Sequence, residues 1–127
     1  MTSHTNIQEM HTTLAAWKQV LLFYDDDLIV LRKRLDQVAH KNTHQDVRVW
    51  IERFQNKLLI QKEQLDILMH EIGSEQQQIE EDITGNVTAT DHRKTGSRLE
   101  LKEKLDTFEL LFNALRKELI AFCARWM

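Results

Sequence analysis

Residues 7–38, IQEMHTTLAAWKQVLLFYDDDLIVLRKRLDQV, set Ile7, Met10, Leu14, Trp17, Leu21, Tyr24, Leu28, Leu31, Leu35 and Val38 at alternating steps of three and four. No polar residue interrupts the series. Such spacing is the a/d seam of a heptad, which buries one stripe of a long helix against partner helices. The pattern returns twice. A second segment reads Val47, Ile51, Phe54, Leu58, Gln61, Leu65, Leu68, Ile72, Glu75, Ile79, and a third reads Leu101, Leu105, Phe108, Phe112, Leu115, Leu119, Phe122, Trp126.

Between and around the seams lie the stop and start signals. Thr5 or Asn6 can cap the first helix, Thr43 with Asp46 resembles a capping box for the second, and Ser97 with Glu100 is one for the third. Lys41-Asn42-Thr43 is a short connection, so the first two helices are antiparallel neighbours. Gly85 to Gly96, rich in Thr, Asn and Asp, reads as a loop. The spacing therefore predicts helices over about 6–40, 44–84 and 98–126 with a loop at 85–97. The fold class is all-α: an antiparallel up-down-up bundle of three long helices with coiled-coil-like packing.

Gly73-Ser74 opens a second reading, a break followed by a short fourth helix, because glycine favours the position just past a helix end. The seam stays in phase through Ile79 and Ile83, which favours one continuous helix. The 127 residues fit a single domain, and a chain with no proline and only three glycines has few breakers to interrupt long helices.

Charge and composition exclude more than they assign. A net charge of −3 gives no global pull toward nucleic acid or an anionic membrane. The longest apolar stretch, Val20 to Tyr24, is far too short to span a bilayer. The first ten residues carry no secretory apolar region, and Cys123 is the only cysteine. The expectation is a cytoplasmic protein in a reducing compartment.

Six histidines raise the question of a metal site. Bundle metal centres place Glu and His inward on facing helices, whereas all six histidines here fall off the seams or in connections. Asp25-Asp26-Asp27 fans over roughly 200° of a helix and cannot converge on one cation. Arg93 to Arg98 precedes an expected helix start but lacks the glycine spacing of a phosphate loop. Cys123 sits beside the third seam as a packing residue, and no serine or cysteine is set up as a nucleophile. The sequence argues against an enzyme, and no cofactor or metal ligand is expected.

More apolar residues remain than one seam per helix needs. Leu22, Phe23, Ile29 and Val30 fall at b and c positions of the first helix, with Asp26 between them. The second helix adds Trp50, Leu59, Ile60 and Ile67; the third adds Leu110, Leu111 and Ile120. A second stripe implies a second contact surface. The expected function is protein–protein association without catalysis, as a homodimer or with another helical protein. The interface candidates are Leu22, Phe23, Ile29, Val30, Trp50, Ile60 and Ile67, with the helix-one stripe leading. A small ligand- or metal-binding bundle using the His-rich ends is the alternative. Within the core, a Val38–Val47 pairing would put Tyr24 and Gln61 in one layer, predicting a hydrogen-bonded polar pair.

Overall fold

The computed structural model describes the backbone of residues 2–83 and 87–127, and the side chains of 7–81 and 98–127. Three helices follow one another as α1 (Thr2–Lys41), α2 (Gln45–Ile83) and α3 (Val87–Trp126). Each helix packs on both others, giving the up-down-up three-helix bundle. At ~1.5 Å per residue, the 40 residues of α1 extend about 60 Å. Among the described residues, no helix is long and apolar enough to cross a membrane.

The turn between α1 and α2 is held by side chains. The Asn42 amide donates to the Val38 carbonyl at 2.9 Å and to the Trp126 carbonyl at 2.9 Å, joining the C-terminal ends of α1 and α3. The predicted Thr43–Asp46 capping box is replaced: α2 begins at Gln45, and the Asp46 N–H donates to His44 Nδ1 at 3.3 Å. An imidazole nitrogen can accept that orphan helix-start amide as a hydroxyl would. Near the end of α1, His40 Nδ1 donates to the Asp36 carbonyl one turn back, at 2.9 Å.

α2 runs unbroken through Gly73, so no short fourth helix forms there. Ile72 and Ile79 are both buried on either side, and packing of these turns outweighs the roughly 1 kcal/mol that glycine costs a helix interior. The loop expected at 85–97 is corrected more substantially, because α3 starts at Val87. Thr84 to Asn86 lie outside the described residues. Nothing between Val87 and Gly96 forbids a helix, and backward growth from a packed helix needs no new nucleus. Ser97 and Glu100 are thus inside α3 rather than at its start.

The seams form the core. Among them Leu14, Leu21, Val38, Phe112 and Leu119 are fully shielded, and Gln61 is the one buried polar residue among those described. Two positions shift at the end of α3: Cys123 is buried, while Phe122 and Trp126 pack only partly against the core. A straight helix at 3.6 residues per turn drifts from a 3.5 repeat, so Leu115, Leu119 and Cys123 follow one line.

Candidate interaction surface

Tyr24 shows how the helices are oriented about α1. Its ring lies edge-on to Phe108 and Phe112 of α3, with centroids 5.5 and 4.8 Å away. The Tyr24 hydroxyl donates to Glu109 Oε2 at 3.2 Å and accepts from Asn113 Nδ2 at 3.2 Å. Burial pushes the phenol above its usual range, and the Asn113 hydrogen bond opposes that shift. The predicted Tyr24–Gln61 pair is therefore not formed. The two phenylalanines hold the ring against α3 and carry its hydroxyl to Glu109 and Asn113, one turn apart. Gln61 on α2 is left with its Oε1 buried and without a hydrogen-bond partner in the chain.

The aspartate run is divided between the neighbours. Lys62 Nζ of α2 donates to Asp25 at 2.9 Å and also pairs with Asp66 at 3.1 Å. These contacts raise the Lys62 ammonium, the Asp25 hydrogen bond foremost. Arg116 Nη2 of α3 lies 3.0 Å from Asp27 Oδ2 as an ion pair without an aligned hydrogen bond. Asp26, between them, points outward. The three carboxylates serve three directions, as the helical fan requires.

All seven apolar interface candidates are exposed, but they belong to two different surfaces. Leu22, Phe23, Ile29 and Val30 lie on the convex outer side of α1, with Phe23 64% exposed. Ile60 and Ile67 instead line an open groove of about 700 Å³ between α2 and α3, with Phe108 and Leu111 from the facing helix. That groove continues past Ala114 and Leu115. It ends in a second hollow of about 560 Å³ where Trp50 and Phe54 meet Ala121, Phe122 and Trp126. Small side chains at Thr107, Ala114 and Ala121, one heptad apart on α3, leave the groove open.

Two ion pairs bridge the groove. Lys104 Nζ reaches Glu71 at 3.2 Å, and Lys57 Nζ reaches Glu118 at 3.7 Å. At the Trp50 end, the guanidinium groups of Arg53 and Arg125 lie over the rings of Trp50 and Trp126, at 4.8 and 5.4 Å. Gln61 borders both central parts of the groove, with its Oε1 sealed from the surface. Sequence spacing marks Leu111 as a leftover apolar residue without placing it here. Its g position on α3, facing c and g positions of α2, was the available signal.

His11, His40, His44 and His70 are exposed, and the side chains of His4 and His92 lie outside the described residues, as do those of Arg93 and Lys94. Among the described residues, no three His, Cys, Asp or Glu side chains come together as a metal-ligating group. The buried Cys123 thiol is pushed up by burial. Comparison with protein-family models, curated proteins and solved structures yields no match.

Proposed function

We propose that this protein is a non-enzymatic helical bundle that acts by protein–protein association, with a second copy of itself or with another helical protein. The observation that carries this reading is the clustering of large apolar side chains outside a complete core. One cluster is Leu22, Phe23, Ile29 and Val30; the other is Ile60, Ile67 and Leu111. Fully burying such a side chain is worth roughly 1.5–3 kcal/mol, so a partner that covers either cluster gains substantially.

The groups with displaced titration support a structural rather than a chemical role. Tyr24 and Cys123 are shifted first by burial, and Lys62 by its aspartate partners. The net charge of −3 gives no global pull toward nucleic acid. A free, buried cysteine fits the cytoplasm. Multi-angle light scattering of the purified chain tests the self-association: a mass that rises from one chain to two with concentration supports it. A monomer at high micromolar concentration removes it, leaving only a different helical partner.

A further inference from the structure

We propose that the α2–α3 groove is a dimer interface whose occupant is the same groove of a second copy. The twofold axis crosses the helices at the level of Gln64 and Leu111, so that α2 meets α2 antiparallel and α3 meets α3. This rests on the association reading above and names its surface and partner.

The charge pattern selects that arrangement. Lys57 and Glu71 lie one heptad either side of Gln64, and Glu118 and Lys104 lie one heptad either side of Leu111. Within a chain they form the two rungs across the groove, at 3.7 and 3.2 Å. The twofold brings Lys57 opposite Glu71 of the second copy, and Glu118 opposite Lys104. Each of these four charges then meets its opposite, while Ile60 faces Ile67 and Leu111 faces itself. A closed isologous contact requires such self-complementarity, and unlike charges across it favour this register over others.

The outer stripe of α1 fails the same operation. Its apolar residues flank Asp26, so a twofold centred there sets Asp26 against Asp26. Two adjacent helices about 20 Å wide over about 30 Å of groove cover ~600 Å² per copy, or ~1,200 Å² in total. That is the lower bound for a stable pair, so a concentration-dependent dimer is expected.

Sedimentation equilibrium across the micromolar range reads the outcome, with far-ultraviolet circular dichroism confirming that each variant stays helical. Leu111→Glu and, separately, Lys57→Glu are expected to weaken dimerisation about tenfold or more. The double swap Lys57→Glu with Glu71→Lys should recover it, because the two sites face each other between copies. Inside one chain the swap puts two acidic groups on one rung and two basic groups on the other. An effect confined to the chain would therefore worsen instead of recovering. Phe23→Glu with Val30→Glu should leave the dimer intact. A dimer lost in that α1 variant but kept in Leu111→Glu overturns the groove and leaves self-association standing. A swap that fails to recover overturns the antiparallel register. A monomer at every concentration overturns the inference together with self-association.

Discussion

Gly73→Ala should stabilise the protein. Gly73 lies in the interior of α2, carries no positive φ, and is exposed. A Cβ added there meets nothing within 4 Å, so no clash offsets the gain. What remains is the backbone entropy that glycine loses in a helix, worth about 0.5–1 kcal/mol relative to alanine. An unfolding entropy of ~2.1 cal/mol/K per residue over 127 residues gives ~0.27 kcal/mol/K, so the melting temperature should rise by about 2–4 °C. Thermal unfolding followed by circular dichroism, at one fixed low protein concentration, measures it. A variant that melts at or below the parent temperature would refute the reasoning, because it would mean that α2 is not helical at Gly73 or that the exposed face there is covered.

Two further outcomes follow from displaced titrations. Tyr24 and Lys62 both titrate above their ordinary values of 10.0 and 10.5, through burial and through the Asp25 hydrogen bond respectively. Their contribution to stability is fully present below pH 10 and is lost as the pH rises through the folded values. Urea midpoints should hold steady to about pH 9 and fall above 10, less steeply in Tyr24→Phe; a rise above pH 10 contradicts this. Cys123, buried with its thiol pushed up, should react with a thiol reagent far more slowly in the native protein than in denaturant. Equal rates would place Cys123 outside the core.

The three seams made the bundle legible in the sequence, because a heptad stripe states both helix and buried face. The start of α3 was not legible, since Val87 to Gly96 has no apolar period and its helicity is inherited from the turns that follow. The partner of Tyr24 was misassigned for a different reason. Heptad spacing tells which residues face inward but not which flank of α1 meets α2 and which meets α3. Asp25 reaching Lys62 on α2 and Asp27 reaching Arg116 on α3 fix that choice only in three dimensions. The apolar surplus was legible as a surplus. Its division into a convex α1 patch and a concave α2–α3 groove depends on the same unreadable arrangement.

The Tyr24 node also has a meaning in time. Its hydroxyl partners, Glu109 and Asn113, lie 85 and 89 residues further along the chain. The α1–α2 turn, by contrast, joins Lys41 to Gln45 across three residues. Closure of a long loop is entropically dearer than closure of a short one, and it must precede the contacts that reward it. Both hairpins, α1–α2 and α2–α3, close across three residues, so the α1–α3 contact that Tyr24 makes is the late one. Until α1 and α3 meet, the flank each keeps for the other stands open to the matching helix of a second chain, which makes exchange of a terminal helix between copies the misfolding route this topology has to outrun.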